Sequence, residues 1–337
     1  MKNDLPPHDD DAANSPASGR DLRQAGHRRR ALLGLGAAGF AALALSRLNT
    51  AIAGTPVAGT ITDARFHCAA LADRLHYKIY QPAAYQSTGM RYPVLYLLHG
   101  RGDNFTAWTR MAPMLDALIA SGKISPCLVV MPDLPSSSRA SYYVNSDYRG
   151  ADQGKPVEDA LTGELIAHID ATWRSDPQRQ ARAIGGYSMG GYGALRYALA
   201  YPALFSAAIV LSPAVYVPLP PAGSSTREYG AFGLGESMFV DAIYQAKNYP
   251  ALLAGLKENL LPLHFFIGSG DDEYKNPAPD EKHDIDMEAH RLYSSLVRAP
   301  NIKAELRIVN GGHDWDAWEP LFREGLMMIF SKLRSAQ

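Results

Sequence analysis

Cysteine is nearly absent: 337 residues hold two, Cys68 and Cys127. That excludes a scaffold stapled by several disulfides, and two isolated thiols do not make a zinc ligand set. Whether the two pair is open, since one buried thiol and one bond in an oxidising compartment fit the spacing equally well. An excess of charge of either sign is missing too. Lys and Arg number 33 against 34 Asp and Glu, for a net charge of −1. No basic footprint is available for nucleic acid or for an acidic membrane surface. A membrane-length hydrophobic run is also lacking: the apolar stretch from Ala31 to Leu45 falls short of the ~20 residues a span needs. No internal repeat or low-complexity tract interrupts the chain after that point. What remains is a globular composition, 47% hydrophobic and 20% charged, of a length that suits one large α/β domain or two small ones.

The first 53 residues read as a separate segment. Met1 to Gly26 is polar, acidic and proline-containing, the composition of a disordered extension. Arg28-Arg29-Arg30 then precede the apolar run, and Ala51-Ile52-Ala53 closes it in an A-x-A pattern. Charged, apolar and small-residue regions in that order predict a signal peptide, and the consecutive arginines resemble a twin-arginine export signal. The alternative is an uncleaved anchor. The expected location is periplasmic or secreted, with no stable membrane insertion once the signal is removed. Gly34-Leu35-Gly36-Ala37-Ala38-Gly39 matches the dinucleotide fingerprint but has no strand before it, so it is set aside.

From residue 54 to 337 the pattern is that of one domain. Leu75, Tyr77 and Ile79 alternate as in an outer strand. Continuous apolar runs at Pro93–Leu98, Cys127–Met131, Ala207–Leu211 and His264–Ile267 predict strands buried on both faces, and Ala304–Val309 is read as a further one. Helices are expected at Trp108–Ile119, Val157–Trp173, Gly191–Tyr201, Ile285–Val297 and Pro320–Leu333. Such alternation predicts a mostly parallel sheet covered on both sides. One long interruption, Ala214 to about Leu260, reads either as a substrate-facing lid or as a solvated excursion.

The chemistry concentrates at Gly186-Tyr187-Ser188-Met189-Gly190, a G-x-S-x-G motif where a buried strand gives way to a helix. A serine on that turn is forced outward, and flanking glycines let the turn close. A serine hydroxyl needs a base in contact, and the base needs an orienting acid. In chain order the base is His313, in Gly311-Gly312-His313-Asp314 after the last strand. His99 competes but precedes the serine. His283 and His290, beside Asp284, Asp286 and Glu288, lack recognised ligand spacing, so no metal is expected. The acid lies in Gly268-Ser269-Gly270-Asp271-Asp272-Glu273. Asp272 is the expected residue, with Asp271 and Glu273 as alternates. The oxyanion donors are expected to be the N–H groups of Met189 and Arg101, with Gly102 as alternate. A substrate pocket would draw on Tyr142, Tyr143, Tyr187, Trp315 or Trp318 and the insertion, although these aromatics could equally be core, the role favoured for the two tryptophans.

Four separated stretches, Pro93–Gly100, Val129–Asp133, Gly186–Ala194 and Gly311–Trp315, resemble the esterase D family, from about Arg65 to Phe330. That family includes feruloyl esterases, S-formylglutathione hydrolases, enterobactin-type esterases and mycolyltransferases. The resemblance implies an α/β-hydrolase fold with an insertion before the acid-bearing strand, Ser188 as nucleophile, His313 as base, and no cofactor. It also supports Arg101 and Met189 as oxyanion donors. The departure is at the acid, where the family usually carries Asp in the place of Glu273. The implied activity is hydrolysis of a small-molecule or carbohydrate-linked ester, feruloyl or aryl esters included. Acyl transfer to a sugar or lipid is the alternative, and a non-catalytic binding protein on a hydrolase scaffold comes last.

Overall fold

The structure, a computed structural model, describes residues 58–134, 140–256, 261–275 and 284–333. The signal segment and the N-terminal extension expected from the sequence lie outside the described residues, as does His283.

Eight strands form the main sheet: β1 (Thr60–Cys68), β2 (Asp73–Gln81), β3 (Val94–Leu98), β4 (Leu128–Pro132), β5 (Arg182–Tyr187), β6 (Ala207–Leu211), β7 (Leu263–Gly270) and β8 (Ile302–Val309). Their order in space is β1-β2-β4-β3-β5-β6-β7-β8. The β1–β2 and β2–β4 pairs are antiparallel, and all the others are parallel. The strand expected at the outside, β2, is therefore second from the edge. The edge belongs to β1, whose Thr, Asp, Arg and His leave it largely unburied and gave it no apolar signal.

Side chains leave a strand on alternate faces, and here each face receives its own helices. Val94, Tyr96 and Leu98 point to one side with Ile184, Val210 and Phe265. Against them pack α2, which runs through Val157–Asp159, a π-helical stretch Ala160–Leu165 and Ile166–Thr172, and α3 (Met189–Ala200). Leu95, Leu97, Ile209 and Phe266 point to the other side. That face takes α1 (Ala112–Ala120) and the C-terminal helix Trp315–Phe330. The C-terminal helix starts five residues before the expected Pro320. Asp314 is its true N-cap, its carboxylate accepting the N–H groups of Asp316 and Ala317, so Pro320 falls inside the second turn.

The insertion after β6 is packed, not a solvated excursion. It holds α4 (Asp241–Lys247) and α5 (Tyr249–Gly255). Phe232 is fully buried among Tyr142, Tyr192, Phe239 and Tyr244. The helix Ile285–Leu296 follows as α6, so the C-terminal helix is α7.

The helix that follows Ser188 is anchored by a buried ion pair. Arg196 of α3 meets both carboxylate oxygens of Glu158 on α2 at 2.9 Å. Tyr201 donates a further hydrogen bond to Glu158 (2.8 Å), and Arg196 reaches the Lys247 carbonyl of the insertion (2.9 Å). Removing one partner strands a charge in the interior. Glu158→Ala is therefore expected to lower unfolding free energy by about 3–5 kcal/mol in urea denaturation. The double variant Glu158→Leu/Arg196→Leu should recover most of that loss.

Candidate active site

Parallel register brings four loops to one edge of the sheet. Tyr187 lies opposite Leu211, Leu211 opposite Gly268, and Gly270 opposite Val309. The residues that follow these ends are Ser188, Ser212, Asp271 to Glu273, and Asn310 to His313. Backbone hydrogen bonds continue the ladder past the strands: Ser188 N–H to the Leu211 carbonyl (2.9 Å), Ser212 N–H to Gly268 (2.7 Å) and Asp271 N–H to Val309 (2.8 Å).

Ser188 stands on a strained turn, with φ 56° and ψ −120°. A non-glycine residue holds such a conformation only where its surroundings impose it. Here the imposition is close packing. A Cβ on Gly186 would lie 2.3 Å from the Gly190 carbonyl oxygen, and one on Gly190 would lie 2.2 Å from that of Leu98. With both positions bare, α3 begins hard against the ends of β3 and β5. Met189 is the first residue of α3, where backbone N–H groups have no intrahelical acceptor and the helix dipole favours negative charge.

His313 Nε2 lies 2.8 Å from Ser188 Oγ, and His313 Nδ1 lies 2.7 Å from Glu273 Oε2. Ser188 and His313 are half-buried, whereas Glu273 is fully buried. With Nδ1–H donated to the carboxylate, Nε2 is left as the acceptor facing the serine hydroxyl. A hydroxyl, an imidazole and a carboxylate in that chain can move a proton off Ser188 and hold the resulting imidazolium.

The acid that reaches His313 is thus Glu273, one of the two alternates, and not Asp272. Asp272 uses its backbone N–H on the Gly311 carbonyl (2.8 Å), and the Asp271 carboxylate accepts Gly311 N–H (3.0 Å). Both residues brace the loop that carries the histidine. Glu273 opens the 3-10 segment Glu273–Lys275, and its side chain reaches the His313 ring. Ser212, which sequence reasoning passed over, is the other neighbour of Glu273: its hydroxyl donates to Oε1. A serine directly after a buried strand was the available signal.

Of the residues expected at a substrate pocket, three are committed to packing. Tyr143 is fully buried, and its hydroxyl donates to the His99 carbonyl (2.8 Å). Tyr142 is buried and accepts from Thr226 of the insertion (2.9 Å). Tyr187 stacks on Trp318 with ring centroids 4.3 Å apart, and its hydroxyl donates to Asp103 (2.6 Å). Burial, with the Asp103 carboxylate beside it, pushes the Tyr187 phenol up. Trp315 remains half-buried, edge-on to Trp108 and Trp318, with the Arg110 guanidinium 4.6 Å from its ring. Arg101 and Gly102 are the central residues of a turn closed by Asp103 N–H to the Gly100 carbonyl (3.2 Å), in which Gly102 takes φ 75°. His99 is buried directly after β3, with Nδ1 against the Gly100 carbonyl (2.8 Å), and it is His313 that meets Ser188. His290 Nδ1 meets the Asp286 carbonyl (2.9 Å). Among the described residues, no three His, Cys, Asp or Glu side chains form a group that could hold a metal. Cys68 and Cys127 are both free and buried, and burial pushes both thiols up.

This is the α/β-hydrolase fold with a serine at its strand-to-helix elbow. The family profile described as "Putative esterase" matches residues 68–329, and the chain belongs to that esterase family. An endo-1,4-beta-xylanase/feruloyl esterase of Xylanibacter ruminicola is 36% identical over 135 residues, which cover 38% of this chain and 17% of that protein. An acetyl esterase of Caldicellulosiruptor saccharolyticus is 26% identical over 232 residues, covering 66% of this chain and 78% of that one. The solved structure of a ferulic acid esterase superposes with a TM-score of 0.64 at 21% identity, covering 82% of this chain and 99% of the other. No helix among the described residues is long and apolar enough to cross a membrane.

The elbow's dependence on bare glycine is testable without any substrate. Gly190→Ala places a methyl carbon against a backbone carbonyl that cannot move aside. A loss of more than about 3 kcal/mol is expected, read as a fall in melting temperature or in soluble yield.

Proposed function

We propose that the protein is a serine carboxylesterase that works outside the cytoplasm. The observation that carries this reading is the continuous chain Ser188 Oγ, His313 Nε2, His313 Nδ1 and Glu273 Oε2, with both contacts under 3 Å. Ser188 Oγ attacks the ester carbonyl carbon while its proton passes to His313 Nε2. The oxyanion that forms is held by the N–H of Met189 and by the turn at Arg101 and Gly102. The bond to the alcohol then breaks, and the alcohol leaves with the proton from His313. Water attacks the acyl-serine, gives its proton to His313, and the carboxylic acid departs as Ser188 regains its hydrogen. Every bond change is accounted for by these residues.

The substrate class follows from likeness and from the aromatic surface. Relatives named feruloyl esterase and acetyl esterase support esters of small or aromatic acids, free or attached to carbohydrate. Trp315, two residues past His313 and half-buried, offers a ring to such a group. The exported location rests on the arginine, apolar and A-x-A pattern of residues 28–53.

Hydrolysis of p-nitrophenyl acetate and methyl ferulate tests the mechanism. Ser188→Ala should lower kcat by about 10⁴-fold or more, and Glu273→Ala by about 10³–10⁴-fold. Asp272→Ala should stay within about threefold of the parent. Activity that survives in Ser188→Ala sinks the mechanism, and equal losses at Asp272 and Glu273 sink the assignment of the acid. Product that appears only when a sugar acceptor is added would make the protein an acyltransferase instead.

A further inference from the structure

Ser212 combines three features that an ordinary core serine does not need. It is fully buried. It takes φ 40°, in the left-handed region that costs a non-glycine residue energy. Its hydroxyl sits between two polar groups, one on each side. Trp318 Nε1 lies 2.8 Å from Ser212 Oγ, and an indole N–H can only donate. The serine's oxygen is therefore the acceptor in that contact, and its single proton is left for the other neighbour, Glu273 Oε1.

The direction of that proton matters because of what Glu273 is. Its carboxylate is fully buried, and one oxygen already meets His313 Nδ1. A buried carboxylate with one donor is poorly compensated for its lost water. Glutamate also carries one more rotatable bond than aspartate, so a single contact at Oε2 leaves the carboxylate plane free to turn. A donor at Oε1 removes both problems. Trp318 is itself held in place, stacked on Tyr187 and edge-on to the His313 ring at 5.1 Å. One indole thus sets the serine hydroxyl, and the hydroxyl sets the acid.

We propose that Ser212 is a positioning residue: with its proton directed by Trp318, it locks the Glu273 carboxylate in the orientation that meets His313 Nδ1. The consequence for turnover rests on the serine esterase reading, whereas the Ser212, Glu273 and His313 arrangement can be read without any substrate.

The informative variant is Ser212→Gly. Glycine adopts φ 40° at no steric cost, so the backbone is relieved while the hydroxyl is lost, and the melting temperature should not fall far. Two readouts are expected to move. The kcat for p-nitrophenyl acetate should drop about tenfold with KM within about twofold, as for loss of a charge-assisted hydrogen bond felt through the base. The low-field proton resonance of His313 Nδ1–H, expected in the parent and in Ser188→Ala, should shift or broaden in Ser212→Gly. Trp318→Phe keeps a ring and drops the indole N–H, and should displace the same resonance by a smaller amount. A His313 resonance unchanged in Ser212→Gly overturns the inference. If the parent turns over no ester while the resonance still moves in Ser212→Gly, the esterase reading fails and the positioning role stands.

Discussion

The close approach of α3 to the ends of β3 and β5 is the constraint on which the rest depends. Three glycines make it possible. Besides Gly186 and Gly190, a Cβ on Gly191 would sit 2.7 Å from the Leu211 carbonyl. The first turn of α3 is therefore pressed against three strands at once, β3, β5 and β6, with no side chain between. A serine at the junction has nowhere to go but outward, and the strain in its φ and ψ is held by those contacts. The same pressing aligns the helix N-terminus with the edge at which β5, β6, β7 and β8 all end. Partners from separate parts of the chain can then meet over one residue, which is why parallel sheets place their ligand sites at carboxyl ends.

Behind the polar groups stands an aromatic wall. Trp108 packs on Tyr187, Trp315 and Phe322, and Trp318 packs on Tyr187 and His313. Three of its polar atoms are fixed by hydrogen bonds. Trp108 Nε1 donates to the Leu98 carbonyl, Tyr187 to Asp103, and Trp318 to Ser212. The wall thus ties the turn holding Arg101 and Gly102 to Tyr187, the residue before Ser188. Gly100 must be bare for this, since a Cβ there would lie 2.5 Å from the Tyr187 ring.

Much of this was legible in the amino-acid order, and the reasons are physical. Strands buried on both faces carry continuous apolar runs, so β3, β4, β6 and β7 announce themselves. The edge strand β1 does not, because exposure lets it be polar. The strand β8, expected to be buried on both faces, is the other edge strand and alternates between exposed and half-buried residues. Ser188 and His313 were readable because each sits in a glycine-rich turn at a strand end, a pattern with few other uses. The acid was not, because three adjacent carboxylates look alike until the backbone direction at each is known. The tyrosines failed for a related reason. A buried Tyr that caps a carbonyl and an exposed Tyr that stacks on a ligand have the same one-letter signature. For Tyr142 the packing of the insertion against α3 decides between them, and for Tyr143 the Tyr197 ring of α3 and the His99 carbonyl do.

The division of labour among Asp271, Asp272 and Glu273 explains why it is a glutamate that meets His313. Past Gly270, the chain keeps pairing with the strand beside it, through Asp271 N–H to Val309 and Asp272 N–H to Gly311, with the Asp271 carboxylate closing on Gly311 N–H. Gly270 packs so near this loop that a Cβ would lie 2.2 Å from the Gly311 carbonyl. The two loops are in effect one extended ladder, and it fixes the height of His313 above the sheet. Two residues are used in holding that ladder, so the first residue free to turn toward the imidazole is the third. Deleting one residue to bring an aspartate into place would shift the register of every contact in the ladder and move His313 with it. Lengthening the side chain by one methylene reaches the imidazole and leaves the ladder intact, at the cost of an extra torsion that a second donor such as Ser212 must restrain.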